Sequence, residues 1–315
     1  MRSQLLIGAA SSGSGKTTFT LGLLRALARK GLVVQPFKCG PDYIDTRHHQ
    51  MAAGRASVNL DRFMMSEKHI EEVYRRYAFP ADIAITEGVM GLFDGYDGMQ
   101  GSSAEVASAL DIPVVLIVNA KSTAYSVAPL LYGFKHFYPK VRVIGAVFNF
   151  VASENHYYYL KQACADAGVE ALGYLPKQED IPIPSRHLGF CFEAFADRIA
   201  DLVDKHVCVD RLLELASAPV SAHTEETGTC LSHRPSGTMR ISIARDAAFN
   251  FVYAENIAYL EQLGNVTYFS PLTDKTLPPT DFLYLPGGYP ELHLKTLSEN
   301  QSMRDAVRAY LENGG

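Results

Sequence analysis

The feature that most constrains the fold is a glycine- and serine-rich segment, Ala9–Thr18 (AASSGSGKTT), which lies between two strongly patterned stretches. Gln4–Ala10 is an apolar run typical of a buried strand, and Thr17–Lys30 carries leucines at helical spacing. The helical pattern stops at Gly31, a residue type favoured just beyond a helix C-terminus. Because a turn from a buried strand into a helix presents unpaired backbone N–H groups, the segment predicts a phosphate-binding loop.

Each residue type in this loop has a chemical use. Gly13 and Gly15 let the backbone approach phosphate oxygens, Lys16 can reach the β- and γ-phosphates, and the Thr17 hydroxyl can ligate magnesium. Ala10 stands where the usual pattern has glycine, but that residue only begins the turn. The loop therefore predicts a nucleoside triphosphate site. The predicted nucleotide-binding residues here are Ser12, Gly13, Ser14, Gly15, Lys16, Thr17 and Thr18.

Short apolar runs rich in β-branched residues alternate with helical patterns through the first part of the chain. This alternation predicts the α/β class, with a parallel sheet covered by helices on both faces. Each run is almost continuous in apolar residues, as strands buried on both faces should be. The candidate strands are Gln4–Ala10, Val33–Lys38, Asp82–Thr86, Pro113–Ala120, Val143–Phe150 and Ala171–Leu175.

A segment without apolar periodicity, residues 217–238, separates two patterned regions. It is rich in Ser, Thr, Pro, Gly and His, and it predicts a linker between domains over residues 1–216 and 239–315. The strands predicted in the second region are Met239–Ala244, Val266–Phe269 and Phe282–Leu285. The helical segments predicted there are Phe251–Leu263, Leu292–Leu297 and Met303–Leu311.

Composition narrows the function classes. The 315 residues are 47% hydrophobic and 20% charged, as in a globular protein. A net charge of −5 and the lack of a Lys/Arg stripe argue against nucleic-acid binding. Because no apolar run is long enough to span a bilayer and no signal-peptide core is present, we expect a cytoplasmic protein without membrane partners. The five cysteines are widely spaced, so we expect reduced thiols rather than disulfides or a zinc site.

Acidic residues follow the ends of two predicted strands. Asp42 and Asp45 come after the second strand, and Glu87 and Asp94 after the third. Since ligands of open α/β sheets bind outside the carboxyl ends of strands, we expect these carboxylates to converge near the γ-phosphate. Oxygen ligands of this kind suit Mg²⁺. Asp42, Asp45 and Asp94 are also common turn formers beside Pro and Gly, and that interpretation stays open.

Three further features near strand ends have two interpretations each. Lys38 could neutralise a transferring phosphoryl group or be a solvated lysine at a strand end. Asn149 could read the adenine edge with its amide or close an ordinary turn. Arg47, His48 and His49 could contact an acidic substrate, but we expect a solvated helix face there.

Six segments of the chain together resemble the cobyrinic acid a,c-diamide synthase family. They are SSGSGKTT, KCGPDYIDT, TEGVMGLFDG, FNFVYAENIAYLEQLG, FSPL and YLPGGYPE, and the resemblance covers the whole chain. It implies a dethiobiotin-synthetase-like first half, which suggests a homodimer, and a flavodoxin-like class I glutaminase domain. It implies that ATP and Mg²⁺ serve to phosphorylate the c and then the a carboxylate of cobyrinic acid, a corrinoid. Ammonia from glutamine would then displace the phosphate, as a step of cobalamin biosynthesis.

The resemblance also implies roles for single residues. The implied magnesium-side residues are Thr17, Asp42 and Glu87. The residues that would face the substrate and its acyl phosphate are Tyr43, Asp45 and Asp94. The catalytic residues predicted on this basis are Lys16, Lys38, Asp45 and Asp94.

The second region resembles only the first part of a glutaminase domain. Gly287 and Gly288, in LPGG, resemble its oxyanion-side loop. A class I glutaminase needs a Cys nucleophile on a strand-to-helix elbow, and none of the five cysteines lies in the expected position. We therefore expect a C-terminally truncated chain without glutaminase activity, in which the synthetase half uses free ammonia.

Other functions stay open. The same chemistry on hydrogenobyrinic acid or nickel sirohydrochlorin would suit the same residues. A partitioning-type P-loop ATPase shares the sheet, but such proteins usually carry a second Lys near the start of the loop, where this chain has Ser11. A module that binds nucleotide without catalysis is a third alternative.

Overall fold

The computed structural model describes residues 3–177, 190–217 and 239–314. The chain divides into two compact units, unit 1 over Met1–Ala222 and unit 2 over His223–Gly315. The predicted linker lies outside the described residues except for Ser217.

Unit 1 is built on a sheet of seven strands that all pair in parallel, in the order β3-β2-β4-β1-β5-β6-β7. Its strands are β1 Ser3–Ala9, β2 Val34–Cys39, β3 Val58–Leu60, β4 Ile83–Glu87, β5 Val114–Asn119, β6 Val143–Val151 and β7 Glu170–Pro176. Its helices are α1 Lys16–Arg29, α2 Ile44–Ala53, α3 Glu67–Ala78, α4 Ser103–Ala109, α5 Val127–His136, α6 Glu154–Ala167, α7 Phe190–His206 and α8 Val209–Ala216.

This arrangement confirms the predicted α/β class and all six predicted strands of the first region. The central strands β1 and β5 are buried along nearly their whole length, which explains their almost continuous apolar sequence. The short edge strand β3 was not predicted, because its three residues are too few to form a recognisable run.

The helix after the phosphate loop is fixed against the body of unit 1. A Cβ atom on Gly22 of α1 would lie 2.5 Å from Ile199 Cγ2 of α7, so the two helices pack closely. Phe19 and Leu23 join Ile199 in the main buried cluster, and Arg25 pairs with Asp197 at 2.7 Å. The N-terminus of α1 therefore has a rigid support.

Unit 2 holds a parallel sheet in the order β10-β8-β11 and a small antiparallel pair, β12 with β9. Its strands are β8 Met239–Ala244, β9 Phe249–Phe251, β10 Gly264–Phe269, β11 Phe282–Tyr284 and β12 Gly287–Gly288. Its α-helices are α9 Ala254–Leu263, α10 Leu294–Glu299 and α11 Gln301–Glu312, with a 3₁₀ turn at Pro290–His293.

The three strands and three helical segments predicted for this region are present, and the largest difference in a boundary is at the start of the first helix. The helix expected from Phe251 begins at Ala254, because Phe249–Phe251 pair with Gly287–Gly288 instead. Helical periodicity in the sequence could not reveal this pairing, since its partner lies far along the chain.

Candidate functional site

The phosphate loop lies between β1 and α1, at the carboxyl edge of the unit 1 sheet. Gly13 and Gly15 have φ angles of 75° and 88°, in the left-handed region that favours glycine. A Cβ atom on Gly15 would lie 1.9 Å from Asn149 Nδ2, so close packing also requires glycine there. The first turn of α1 carries no acidic residue, which leaves the positive end of its dipole suited to an anion.

Asn149, on β6, supports this loop. It is almost buried, and its Nδ2 donates to the Ser14 carbonyl at 3.1 Å while its Oδ1 accepts from the Phe150 N–H at 2.9 Å. The side chain thus fixes the backbone of the loop. Its contact with an adenine edge stays a prediction.

Lys38 and Glu87 meet because they are partners in the parallel register of β2 and β4. Lys38 Nζ donates to Glu87 Oε1 at 2.9 Å and to Asp45 Oδ2 at 2.6 Å, and the Gly88 carbonyl lies 3.4 Å away. Lys38 is 3% exposed and Glu87 is fully buried. The alternative of a solvated lysine at the strand end is therefore wrong.

Thr17 connects the phosphate loop to this ion pair. Its Oγ1 donates to Glu87 Oε1 at 2.8 Å and lies 3.4 Å from Asp45 Oδ2. The structure thus brings together four residues that the sequence singled out. We call them the charge cluster: Thr17, Lys38, Asp45 and Glu87.

Electrostatics keep Lys38 and Glu87 ionised near neutral pH. Burial would raise the pKa of Glu87, but the Lys38 ammonium holds that pKa well below its usual range. Burial would lower the pKa of Lys38, yet the Glu87 and Asp45 carboxylates raise it above its ordinary value. Burial, together with the Glu87 charge, raises the pKa of Asp45 to about 6. Asp45 is therefore the member of the cluster that takes up a proton nearest to neutrality.

Two further predicted site residues, Lys16 and Asp94, make hydrogen bonds with the loop after β4. Lys16 Nζ donates to the carbonyl of Met90, which links the phosphate loop to this segment. Burial lowers the pKa of Lys16, although Glu87 opposes the shift. Asp94 Oδ2 accepts from the Gly91 N–H at 2.9 Å and so stabilises the turn.

Asp42 and Tyr43 lie at the start of α2. Asp42 Oδ1 accepts from the N–H groups of Ile44 and Asp45, both at 2.9 Å, so it satisfies two N–H groups in the first turn of the helix. Its Oδ2 lies 3.6 Å from Lys38 Nζ, and this ammonium lowers the pKa of Asp42 in spite of burial. Tyr43 is the N-cap residue of α2. The turn-former interpretation of Asp42 thus describes its backbone role, and its carboxylate also faces the cluster.

Sequence reasoning missed the residue behind Glu87. His49 Nε2 lies 2.7 Å from Glu87 Oε2, and His49 Nδ1 lies 3.2 Å from Ser57 Oγ. The His49 side chain is fully buried. Ser57, His49 and Glu87 therefore form one buried hydrogen-bonded line that ends at the charge cluster.

The expectation of a solvated helix face at Arg47, His48 and His49 was wrong for both histidines. His48 is 3% exposed and stacks on Phe192 with ring centroids 5.1 Å apart, while Arg47 is exposed. The available signal was spacing, because Asp45 and His49 are one helical turn apart and so lie on one face. The sequence could not show that this face is buried.

The donor set fits a magnesium ion delivered with a nucleotide. Within residues 3–177, 190–217 and 239–314, no group of three or more His, Cys, Asp or Glu side chains could hold a metal ion. Mg²⁺ commonly takes one or two protein ligands and completes its shell with phosphate oxygens and water. Thr17, at the start of α1, and Glu87, at the end of β4, have oxygens 2.8 Å apart and could supply those one or two protein ligands.

Gly287 and Gly288 lie in unit 2, where they form β12. A Cβ atom on Gly288 would lie 2.0 Å from the Ala248 carbonyl oxygen, so this backbone approach requires glycine. Gly287 pairs with Phe251. Their part in an oxyanion hole stays a prediction.

Comparisons with known proteins match both units. Residues 5–190 match the CobQ/CobB/MinD/ParA nucleotide binding domain, and residues 240–315 match the CobB/CobQ-like glutamine amidotransferase domain. The cobyrinate a,c-diamide synthase of Listeria innocua is 41% identical over 99% of this chain and 71% of its own length. The synthases of Streptococcus sanguinis and Methanosarcina acetivorans are 42% and 39% identical over 99% of this chain and 71% and 69% of their own lengths.

Fold and site define a P-loop nucleotide-binding protein coupled to a glutamine amidotransferase-type region, which is the arrangement of a ligase that takes amide nitrogen from glutamine. The chain belongs to the cobyrinate a,c-diamide synthase family, as its sequence motifs predicted. No helix in the part of the chain that the structure describes is long and apolar enough to cross a membrane.

Proposed function

We propose that the chain uses ATP and Mg²⁺ to phosphorylate the c and then the a carboxylate of cobyrinic acid, and that ammonia displaces each phosphate to leave an amide. Glutamine would be the source of this ammonia, since residues 240–315 match a glutamine amidotransferase domain. We assign this synthetase activity to residues 1–216. The names of the relatives support the substrate, and one geometric observation carries the chemistry. Thr17 of the phosphate loop is hydrogen bonded to the buried Lys38–Glu87 pair.

The chemistry explains why a nucleotide is needed. A carboxylate does not react usefully with ammonia at neutral pH, because hydroxide is a poor leaving group. Transfer of the γ-phosphoryl group to the carboxylate gives an acyl phosphate, from which phosphate leaves readily. Such transfers depend on positioning and on neutralising the charge of the moving group. Lys16 and the backbone N–H groups of Gly13–Thr17 would supply that neutralisation.

The charge cluster would organise the metal side of this reaction. Thr17 and Glu87 would hold magnesium, which would neutralise charge on the β- and γ-phosphates. Lys38 and His49 hold the two oxygens of Glu87 at 2.9 and 2.7 Å, so the carboxylate is fixed before nucleotide binds. Asp42 would support the same side through its contact with Lys38.

Asp45, Asp94 and Tyr43 would face the substrate. With a pKa of about 6, Asp45 carries a proton at small cost near neutrality, so it can donate a hydrogen bond to a substrate carboxylate oxygen. Asp94 lies on the loop that also contacts Lys16. These two carboxyl groups would position the acceptor and then its acyl phosphate.

An assay with ammonia as nitrogen donor tests this proposal. Cobyrinic acid, hydrogenobyrinic acid and nickel sirohydrochlorin are each offered with ATP and Mg²⁺, and amide and phosphate are measured, with Lys16→Ala as the inactive control. We expect equal amounts of amide and phosphate with cobyrinic acid. A preference for another macrocycle would correct the substrate. Phosphate release that does not depend on any of the three macrocycles would favour a partitioning-type ATPase and contradict the proposal.

A further inference from the structure

Two exposed aromatic rings meet at the carboxyl edge of the unit 1 sheet. Phe63, in the turn after β3, is 72% exposed, and Tyr96, in the loop after β4, is 59% exposed. Their ring centroids lie 5.4 Å apart with the planes at 81°, an edge-to-face contact. Met64, beside Phe63, is 69% exposed. We call Phe63, Met64 and Tyr96 the aromatic rim, since contiguous exposed apolar side chains of this kind commonly mark a binding site.

The turn that carries Phe63 is tightly bonded. Asp61 is buried, and its Oδ1 accepts from the Phe63 N–H at 3.0 Å. The Asp61 carbonyl accepts from the N–H groups of Met64 and Met65 at 3.2 and 2.8 Å. The exposure of Phe63 and Met64 therefore does not come from a loosely held backbone.

The loop that carries Tyr96 is equally constrained. The Tyr96 N–H donates to the Gln100 carbonyl at 2.9 Å, and a Cβ atom on Gly95 would lie 2.0 Å from that same oxygen. The Tyr96 ring lies over Gly101, where a Cβ atom would approach it to 2.5 Å. Because the backbone that carries both rings is already ordered, a ligand that covers them orders little additional chain on binding.

The rim lies at the same edge of the sheet as the charge cluster. β2 lies between β3 and β4, so the contact between Phe63 and Tyr96 crosses the end of β2, where the segment Asp42–Asp45 begins. Arg62, in the turn after β3, pairs with Glu105 of α4 at 2.9 Å, so an ion pair joins that turn to α4.

Chain geometry limits the distance from the rim to the reaction. Asp94 precedes Tyr96 by two residues, so their backbones are at most about 7 Å apart. The same loop contains Met90, whose carbonyl accepts a hydrogen bond from Lys16. The loop that carries Tyr96 of the rim therefore also carries residues next to the predicted phosphoryl-transfer site.

We propose that the aromatic rim binds the apolar face of the substrate macrocycle while a peripheral carboxylate reaches the charge cluster. This inference rests on the proposed function. A macrocycle of this class has a broad apolar face and carboxylates only around its edge. The rim has no charged side chain, so it would contact the face and leave the carboxylates to the residues inside. Contact with a face tolerates rotation of the ring in its own plane, which would let one site present the c and then the a carboxylate.

The chain offers a matched pair of variants to test the rim. Phe79, the C-cap residue of α3, is 67% exposed but precedes β4, at the opposite edge of the sheet. With ammonia as donor, Phe63→Ala should raise the KM for cobyrinic acid about tenfold, the factor that corresponds to one lost aromatic contact, and leave the KM for ATP unchanged. Phe79→Ala should change neither value. An equal macrocycle KM in the two variants would overturn the inference.

A binding measurement separates failure of the rim from failure of the proposed function. The chain contains no Trp, so Phe63→Trp and Phe79→Trp each place a single fluorophore. Cobyrinic acid should quench the first much more strongly than the second, whether or not any amide forms. Quenching of Phe63→Trp without amidation would support the rim and refute the proposed function. Equal quenching of both variants would refute the rim, even if the wild-type chain makes amide.

Discussion

The two edges of the unit 1 sheet carry ion pairs that differ in their exposure to solvent. At the carboxyl edge, the Lys38 and Glu87 side chains are 4% and 0% exposed and form a 2.9 Å ion pair. At the amino edge, Arg142 and Asp111 form a 3.2 Å pair with side chains 44% and 67% exposed. Removing charges from water is costly, whereas exposed pairs contribute little either way. The cost of burying the first pair is what the proposed phosphoryl transfer at that edge would explain, and the exposed pair needs no such explanation.

The largest expected effect compares two glycines with similar backbone angles. Gly15, at the carboxyl edge, has φ 88° and packs against Asn149, whereas Gly31, which follows α1 at the amino edge, has φ 81° and open space around it. Gly15→Ala should lower affinity for ATP about 100-fold or more, while Gly31→Ala should cost only about 1 kcal/mol of stability. Calorimetric titration with Mg-ATP measures the affinity of each variant, and thermal melts measure its stability. Equal ATP affinity in the two variants would break the distinction between the edges.

Asp45→Asn should separate activity from stability. We expect amidation to fall about 100-fold, because the substrate-facing carboxyl is lost. Since the folded pKa of about 6 lies above the ordinary value of 3.8, the stabilisation from protonated Asp45 is complete below the ordinary value and is lost as pH rises through 6. The neutral Asn avoids that loss. The melting temperature of the variant relative to wild type should therefore be higher at about pH 7.5 than at about pH 4.5.

Asp111→Asn, at the amino edge, is the control for that experiment, because its side chain is exposed. It should keep full activity. Wild-type activity in Asp45→Asn would contradict the assigned role, and a variant that melts lower at the higher pH would contradict the electrostatics.

A smaller effect is expected from His49→Gln. Loss of the contact with Glu87 should let that carboxylate turn, so kcat should fall about tenfold and half-maximal activity should need more Mg²⁺. Binding of ATP without Mg²⁺ should be unchanged, which a fluorescent nucleotide can measure. His48→Gln is a matched control, because His48 is buried on the same helix but stacks on Phe192. The same Mg²⁺ requirement in both variants would show that His49 only stabilises the fold.

The smallest effect is expected for Arg142→Ala. Its exposed pair with Asp111 should contribute less than about 1 kcal/mol, and the rate of amidation should not change. Urea unfolding and the ammonia assay measure these two quantities. A loss of activity here would mean that the amino edge takes part in function.

The sequence allowed much of unit 1 to be predicted, because strands buried on both faces have to be apolar. The loop residues Gly13–Thr17 and the carboxylates at strand ends could be placed near one another for a topological reason, since parallel strands end at one edge. The small strand β3 and the pairing of β9 with β12 could not be found, because three-residue strands and two glycines leave no periodic signal.

The role of His49 could not be predicted for a different reason. Helical spacing shows that Asp45 and His49 share a face of α2, but the register of β2 with β4 decides that Glu87 meets this face. The position of the aromatic rim likewise depends on the strand order β3-β2-β4, which the sequence does not state. Both features arise where separate elements meet.

Oxygen-18 tests the central claim, activation of a carboxylate as an acyl phosphate, most directly. Cobyrinic acid labelled with oxygen-18 in its carboxylates is incubated with the chain, ATP, Mg²⁺ and ammonia, and the released phosphate is examined by mass spectrometry. When ammonia displaces the acyl phosphate, the bridging oxygen leaves with phosphorus. The account predicts one labelled oxygen in phosphate for every amide formed. Amide formed alongside unlabelled phosphate would contradict it.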